Sequence, residues 1–337
     1  MNLSQPDLVE PKMMTFEKAL ALIRDDLERV DLECRKNLKS DVPITSAIGE
    51  YLLFSGGKRF RPILLLFSAR LCGYREDRHI PLASLVEFVH TATLLHDDVV
   101  DKAEIRRGNA SVNSKWGNEA SVLVGDFLFT KSFWLLAEKG NWEIFQVLSR
   151  ATTLVAEGEL EELIRTDDLS LSEQGYLAII SRKTAPLISA AAQIGAILGN
   201  VSEEKRTALA NYGLAVGIAF QLIDDSLDYA SRKEEFGKEI GIDLQRGKIT
   251  LPLIHALKHC TAEERDRIQQ TVDGSPLTRD SFSRIVQIIE RCGGIQYAWE
   301  RAKAYIDQAK SHLHLFQDSA YRQALFTLAD YVVERRV

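Results

Sequence analysis

Apolar residues recur at helical spacing along most of this chain. In residues 82–95 and again in residues 208–223, the apolar positions follow mostly three- and four-residue steps. Proline, which breaks helix interiors, is absent between Pro81 and Pro186 and between Pro186 and Pro252. Alternating apolar and polar runs long enough for strands are hard to find. The pattern therefore predicts an all-α protein of ten or more helices.

The breaks between these helical segments are neither long nor polar enough to separate domains. We therefore expect a frayed N-terminus over residues 1–14 and one domain over residues 15–337. A chain of 337 residues can bury a sizeable core without disulfides or a structural metal. Its four cysteines are scattered without a C-x-x-C spacing, which predicts reduced thiols in a cytoplasmic protein.

Charge and hydropathy exclude other classes of protein. The net charge of −6 argues against a general nucleic-acid binder. The first residues lack a basic region followed by an apolar core, so we expect no signal peptide. No uncharged apolar run approaches the ~18 residues of a membrane span.

Two segments of the form Asp-Asp-x-x-Asp follow apolar helical runs. Residues four apart share a helix face, so each segment presents a pair of carboxylates on one turn. Such a pair repels itself unless a cation lies between its members. A solitary segment is commonly a solvated helix end, but here both lie among apolar residues, where carboxylates need a partner. The sequence therefore predicts a site for hard divalent cations, most plausibly Mg²⁺ holding a phosphorylated ligand. The six carboxylates are Asp97, Asp98, Asp101, Asp224, Asp225 and Asp228.

Basic residues beside glycines or inside apolar helices complement the acidic segments. Any one of them alone could be a solvated charge. Arginine forks match phosphate oxygens, and the combination with two acidic motifs favours a phosphate-binding site. The basic residues are Lys58, Arg61, Arg106, Arg107, Lys183, Lys238 and Lys248.

Read in order, these motifs resemble the trans-isoprenyl diphosphate synthase family over roughly residues 15–335. Two further stretches, 87–96 and 120–127, resemble its bacterial long-chain polyprenyl branch most closely. The resemblance implies the isoprenoid synthase fold, a bundle of mostly antiparallel helices around a deep central cavity. The motifs are Gly-Gly-Lys-Arg-x-Arg-Pro (56–62), His-Asp-Asp-x-x-Asp (96–101), Arg-Arg-Gly (106–108), Lys-Thr (183–184), Phe-Gln-Leu-Ile-Asp-Asp-x-Leu-Asp (220–228) and Gly-Lys-x-x-Gly-x-Asp-Leu-x-x-Gly-Lys-x-Thr-Leu-Pro (237–252).

The resemblance implies head-to-tail prenyl transfer. Isopentenyl diphosphate units would be added to an allylic diphosphate, with farnesyl diphosphate as the expected primer. The expected product is a long-chain all-trans polyprenyl diphosphate, of octaprenyl length, for a quinone side chain. The resemblance also implies three Mg²⁺ ions per site and a homodimer formed by helices. The product would be apolar, but the sequence shows no membrane anchor, so at most peripheral membrane contact is expected.

The resemblance also implies a role for each matched residue. Asp97, Asp101 and Asp224 would bind the metal ions, and Asp98, Asp225 and Asp228 would act behind them or through water. The clamp on the allylic diphosphate would consist of Arg106, Lys183, Thr184, Gln221, Lys238 and Lys248. Isopentenyl diphosphate would be bound by Lys58, Arg61, His90 and Arg107. The residues expected to drive catalysis are Asp97, Asp101, Arg106, Lys183, Asp224 and Lys238. No separate general base is expected, because the departing diphosphate would accept the proton.

One position departs from the family pattern. Many relatives have Gly-Glu-x-x-Gln in the middle helix, whereas this chain has Glu162 at the glutamine position. A surface acid and a site residue are equally consistent with the sequence there.

Small residues before the first acidic segment bear on product length. Thr93 and Ala92 precede Asp97 by four and five residues, so they lie on the turn beneath it. We expect a tunnel that stays open below the site, with its floor at Phe88, Phe127 or Trp134. The alternative is that small residues only allow close helix packing.

Four other functions are weighed against this one. A shorter-chain, geranylgeranyl synthase differs only in the tunnel. A His-Asp-type metal phosphohydrolase would need more histidines than the seven present, none of which adjoins the second acidic segment. A terpene cyclase would lack the basic cluster at 56–61. A catalytically silent partner subunit would be expected to have lost one acidic motif, and both are intact.

Overall fold

The structure is a computed structural model that describes residues 14–230, 241–272 and 278–334. Within these ranges the chain forms seventeen α-helices, one 3-10 turn and two short strands, so the predicted all-α fold is confirmed. The helices are α1 (Phe16–Ala21), α2 (Arg24–Asn37), α3 (Pro43–Phe54), α4 (Phe60–Leu71), α5 (His79–Val100), α6 (Val112–Trp116), α7 (Asn118–Lys139), α8 (Trp142–Ile164), α9 (Glu173–Lys183), α10 (Ala185–Leu198), α11 (Glu203–Ala230), α12 (Ile242–Gln245), α13 (Leu251–His259), α14 (Ala262–Val272), α15 (Arg279–Arg291), α16 (Gly294–His312) and α17 (Ala320–Glu334). The 3-10 turn is Leu313–Leu315, and the strands are β1 (Ile105–Arg106) and β2 (Asn109–Ala110).

Helices α10 and α11 pack at the centre of the molecule. Helix α10 is apolar on nearly all sides and also contacts α4 and α8, while α11 contacts α16. Glycines let the two backbones approach each other. A Cβ at Gly213 would lie 2.8 Å from the Ile188 carbonyl oxygen, and one at Gly217 would lie 2.6 Å from the Ala185 Cα. This packing fixes α11, whose C-terminal end carries the second acidic segment.

Helix α5 carries the first acidic segment at its own C-terminal end and packs against α7. The His96 ring lies over Gly125 of α7, where a Cβ would come within 2.3 Å of Nε2. The same nitrogen lies 3.2 Å from the Val122 carbonyl oxygen and 3.4 Å from Asp126 Oδ1. His96 therefore serves the packing of α5 on α7, which gives no support to a His-Asp phosphohydrolase.

A two-residue hairpin follows α5. Strand β1 pairs antiparallel with β2, and the turn residues Arg107 and Gly108 both have positive φ, at 54° and 75°. Two positive φ values are typical of the tight turns that join antiparallel strands. The hairpin presents Arg106 and Arg107 directly beyond the first acidic segment.

The core joins the two ends of the described chain. One cluster of buried apolar residues extends from Ala19 on α1 to Val332 on α17. The single-domain boundary remains a prediction. Residues 1–13 of the expected frayed terminus lie outside the described residues, whereas the Met14 carbonyl accepts a hydrogen bond from Thr327 at 3.0 Å.

Helix α7 is long and apolar enough to cross a membrane by length and composition alone. Helix α7 is not an uncharged run, since it contains charged residues, Asp126 and Lys131 among them. The core helix of a protein that does not span a membrane can be equally long and apolar. In α7, less than half of the most apolar 18-residue stretch is buried.

Candidate functional site

Both acidic segments lie at the C-terminal ends of long helices. Asp97 and Asp98 are in the last turn of α5, and Asp101 is its C-cap residue. Asp224, Asp225 and Asp228 lie in the last two turns of α11. A helix C-terminus carries partial negative charge, so carboxylates there increase the need for cations.

Asp101 connects the first segment to the loop beyond the second. Its Oδ2 accepts from Arg246 Nη1 at 3.0 Å and from Lys248 Nζ at 2.9 Å. Burial would raise the pKa of Asp101, but the charges of Lys248 and Arg246 outweigh burial and lower it. These contacts bridge 145 and 147 positions of sequence. The first acidic segment therefore lies against the loop that follows the second acidic segment.

The Asp97 carboxylate has no hydrogen bond or ion pair with any side chain or backbone group in the described part of the chain. Burial, and then the nearby charge of Glu159, raise the pKa of this carboxyl above its ordinary value. The charge of Asp101 acts in the same direction, while Lys183 opposes both. A half-buried carboxylate of this kind is stabilised by an added cation.

Asp98 and Asp225 are occupied by protein partners. Asp98 is fully buried, and its Oδ1 accepts from Arg106 Nε at 2.8 Å and Nη2 at 2.5 Å. Asp225 accepts from the Tyr176 hydroxyl at 2.5 Å and from Gln221 Nε2 at 2.6 Å. Burial, followed by the charge of Asp243, raises the pKa of Asp225 well above its usual range.

The other two carboxylates of the second segment differ from Asp225. Asp228 accepts backbone N–H groups from Ile242 at 3.3 Å and Asp243 at 3.1 Å, which ties the end of α11 to α12. Burial and the charge of Asp243 raise its pKa. Asp224 is half-buried and lies within electrostatic reach of Arg61.

Lys183 and Lys248 form a chain of ion pairs with α8. Lys183 Nζ donates to Glu159 Oε2 at 2.8 Å and to Glu162 Oε2 at 2.6 Å. Lys248 Nζ lies 3.1 Å from the same oxygen of Glu162. Burial would lower the pKa of Lys183, but Glu162 and Glu159 raise it above its ordinary value. A cleft of about 560 Å³ opens against this chain, lined by Asp101, Glu159, Glu162, Arg246 and Lys248 among others.

Glycine at position 158 lets this ion-pair chain form. A Cβ at Gly158 would lie 2.4 Å from the backbone nitrogen of Lys183, so α8 and α9 touch backbone to backbone there. We expect Gly158→Ala to lower the free energy of unfolding by about 1–3 kcal/mol, because the added methyl group would overpack this contact. Urea denaturation measures this. Ala156→Ser adds one atom on the exposed side of the same helix and should change stability by less than about 0.5 kcal/mol. Equal stability of the two variants would contradict the contact.

Thr184 and Gln221 are linked to each other. The Thr184 hydroxyl donates to Gln221 Oε1 at 2.6 Å, and the Gln221 amide nitrogen donates to Asp225. This chain of hydrogen bonds ends at Tyr176, and it fixes which end of the Gln221 amide points at Asp225.

A second basic cluster lies behind the hairpin. Burial lowers the pKa of Arg61 to about 10, although the charges of Glu87 and Asp224 act in the opposite direction. The buried Nε of Arg61 has no hydrogen-bond partner in the described ranges. Burial and the charges of Arg61 and Arg107 hold the pKa of His90 well below its usual range, so its imidazole is neutral at pH 7. Arg107 donates to the Gly56 carbonyl.

Two sequence expectations fall elsewhere. Lys58 is exposed, and its Nζ lies 4.9 Å from the centre of the Tyr331 ring on α17, so the structure does not bring it into this cluster. Lys238 lies outside the described residues.

The residues that the sequence predicts to line a tunnel separate into buried and exposed groups. Ala92 and Phe88 are fully buried, and Thr93 is half-buried with its hydroxyl donating to the His90 carbonyl at 2.8 Å. Trp134 is wrong as a tunnel floor within one chain, because its side chain is 60% exposed and donates to Glu138 on the surface. Phe127 and Trp134 line one groove on the outside of the protein.

The site includes residues that the sequence did not assign. Arg246, Glu159 and Tyr176 contact the predicted site residues directly. Arg246 lies between two matched motif positions and could have been found there. Tyr176 has no signal in the sequence, because its role depends only on how α9 packs against α11.

The chain is similar to polyprenyl synthases in both sequence and structure. The family model for polyprenyl synthetase matches residues 42–289. Octaprenyl diphosphate synthase of Escherichia coli is 40% identical over 322 residues, covering 96% of this chain and 99% of the relative. Geranylgeranyl diphosphate synthase of Methanosarcina mazei is 35% identical over 290 residues, covering 85% and 88%. The crystal structure of a Caulobacter crescentus polyprenyl synthase complexed with calcium and isoprenyl diphosphate superposes with a TM-score of 0.93, at 40% identity, covering 97% of this chain and 100% of that one.

Proposed function

The chain belongs to the polyprenyl synthetase family, and from that premise we propose that it adds isopentenyl diphosphate units to an allylic diphosphate to make a long-chain all-trans polyprenyl diphosphate. Octaprenyl is the expected length and farnesyl diphosphate the expected primer. The observation that carries this is that the first acidic helix end lies against cations from the loop beyond the second, with Arg246 and Lys248 bonding to Asp101.

The carboxylates suit Mg²⁺. Asp97 is half-buried and lacks a partner among the described residues, and Asp224 lies on the opposite acidic helix end. Carboxylate oxygens are the ligands that Mg²⁺ prefers, so Asp97, Asp101 and Asp224 would hold the ions, three being the expected number. When bound, the ions neutralise the charge that builds up on the leaving diphosphate. Asp98 and Asp225 would act indirectly, since Arg106, Tyr176 and Gln221 already bond to them.

Lys183 and Lys248 would bind the allylic diphosphate, together with Gln221, Thr184 and Lys238. Arg106 uses Nε and Nη2 on Asp98, so Nη1 is its remaining donor nitrogen. As the diphosphate leaves with the electron pair of the C–O bond, these donors would hold it in place.

Arg61, Arg107 and His90 would bind isopentenyl diphosphate, with Lys58 able to reach them only by leaving Tyr331. The double bond of isopentenyl diphosphate would attack the allylic carbocation, and the new C–C bond would form as a proton is lost. The departing diphosphate would accept that proton. Holding both substrates in line supplies the remaining rate enhancement.

One experiment tests this function. The purified chain is incubated with labelled isopentenyl diphosphate, farnesyl diphosphate and Mg²⁺, and products are sized by mass spectrometry. A ladder ending at octaprenyl length is expected. Products ending at geranylgeranyl length would support the shorter-chain alternative, and no incorporation would refute the synthase proposal.

A homodimer is part of the proposal. Helices α7 and α8 expose large apolar side chains, among them Leu123 at 66%, Trp134 at 60% and Trp142 at 69%. Exposed apolar patches of this kind commonly mark interaction sites, and a second copy of this face would cover it. In the same proposal the enzyme works in the cytoplasm with at most peripheral membrane contact, and its product supplies a quinone side chain.

Leu123→Glu is expected to break this dimer, because a charge replaces an apolar side chain in the middle of the contact. Light scattering at micromolar concentration should report the mass of one chain, against two for the unchanged protein. Leu315→Glu makes the same change at an exposed leucine of the 3-10 turn and should leave the dimer intact. An intact dimer in both variants would exclude this face as the interface.

A further inference from the structure

Glu162 joins two lysines on a single oxygen. Its Oε2 lies 2.6 Å from Lys183 Nζ and 3.1 Å from Lys248 Nζ. Lys183 ends α9, whereas Lys248 follows α12, so the carboxylate on α8 joins cations from two separate parts of the chain. All three side chains are largely buried, at 15%, 16% and 23% exposure for Lys183, Lys248 and Glu162.

Each lysine also has a carboxylate of its own. Lys183 bonds to Glu159 at 2.8 Å, and Lys248 bonds to Asp101 at 2.9 Å. Within the described ranges, Glu162 is the acid that both lysines contact. Two ammonium groups repel each other at this spacing, and a shared negative oxygen offsets that repulsion.

We propose that Glu162 is a positioning residue for the allylic diphosphate, holding Lys183 and Lys248 together so that one diphosphate contacts both. The proposal rests on the roles given above to these two lysines. It concerns a position at which this chain has an acid and many relatives have glutamine.

Replacement by glutamine separates charge from shape. Glu162→Gln retains the size of the side chain and an acceptor oxygen, but it removes the negative charge. The lysines then repel each other and move towards the acids they keep, Lys183 to Glu159 and Lys248 to Asp101. A diphosphate that needs both ammonium groups at once binds less well, whereas the isopentenyl diphosphate cluster around Arg61 is untouched.

The test compares the two substrates. In Glu162→Gln, the KM for farnesyl diphosphate and the inhibition constant for inorganic diphosphate should rise together by about fivefold to tenfold, roughly the effect of one lost ion pair. The KM for isopentenyl diphosphate should stay within about twofold. Glu161→Gln is the matched control, because Glu161 pairs at 2.7 Å with Arg182 on the outer face and should leave all three constants unchanged.

A double-mutant cycle tests whether the effect of Glu162→Gln acts through Lys248. In a chain that already carries Lys248→Ala, adding Glu162→Gln should have little further effect on either constant, because no pair is left to hold. Glu162→Asp retains the charge and should restore most of the affinity for inorganic diphosphate.

Three results would overturn the proposal. They are unchanged or tighter diphosphate binding in Glu162→Gln, an equal rise in the KM for isopentenyl diphosphate, and full additivity with Lys248→Ala. If Lys183→Ala and Lys248→Ala themselves leave the KM for farnesyl diphosphate unchanged, the assignment of the allylic site fails instead. Thermal unfolding of each variant, followed by circular dichroism, shows that the compared proteins are folded.

Discussion

Asp97→Asn is expected to lower kcat by about 10³-fold or more, equivalent to about 4 kcal/mol of transition-state stabilisation. The substitution retains the shape of the side chain and removes the charge that a divalent cation requires. Asp97 lacks a partner among the described residues, and burial together with the charge of Glu159 raises its pKa. Losing the charge therefore breaks no hydrogen bond or ion pair of this carboxylate within those ranges, and stability should be unchanged or slightly higher.

A large loss of activity without a loss of stability would separate a metal-binding role from a structural one. Activity is measured as incorporation of labelled isopentenyl diphosphate, and stability is measured by urea denaturation. Binding of Mn²⁺ in the presence of inorganic diphosphate, followed by electron paramagnetic resonance, should weaken in parallel with activity. Asp307→Asn, at an exposed position on α16, should change none of the three quantities. Full activity of Asp97→Asn would remove this carboxylate from the metal site.

The main elements of the site follow from sequence because their residue types are conspicuous in their surroundings. Carboxylates at Asp97, Asp101 and Asp224 stand among apolar residues on helices, so their need for cations is visible before any fold is known. Long helices are equally visible from apolar spacing and from the missing prolines. The tight packing of α10 on α11 agrees with that pattern, since small residues face each other at Gly213 and Gly217.

The remainder depends on tertiary partners that no local pattern encodes. Asp98 and Asp101 look alike in the motif, yet one is buried against Arg106 and the other bonds to Arg246 and Lys248. The sequence is equally consistent with Glu162 as a surface acid and as a site residue. The structure places it against two lysines, one from α9 and one from the loop after α12. The three aromatic residues proposed for the tunnel floor could not be ranked from the sequence either.

Trp134 is an example. It lies on an apolar helix, but α7 has two apolar faces. One face packs on α5, and the other carries Trp134 on the surface. Sequence alone does not distinguish a face covered by the same chain from one that a second copy would cover. Of the three aromatic residues proposed for the tunnel floor, Phe88 on α5 is fully buried.

Thr93→Tyr is expected to shorten the main product to geranylgeranyl length or less. Thr93 is half-buried on the turn below Asp97, one helical turn or about 5.4 Å along the axis. A phenol ring there would project into the space that the growing chain must enter. Ala92→Phe should act in the same direction, but Ala92 is fully buried, so overpacking would also lower stability by about 1–3 kcal/mol.

Product length is measured by mass spectrometry after removal of the diphosphate, at matched conversion of farnesyl diphosphate. The rate of the first condensation should change little in Thr93→Tyr, because Asp97 and the cations Arg246 and Lys248 remain in place. Thr207→Tyr makes the same substitution at an exposed position in the first turns of α11, at the opposite end of that helix from the second acidic segment. It should leave the product distribution unchanged. A full-length product from Thr93→Tyr would mean that the chain leaves the site by another route, and that the small residues at 92 and 93 serve only to let α5 pack closely.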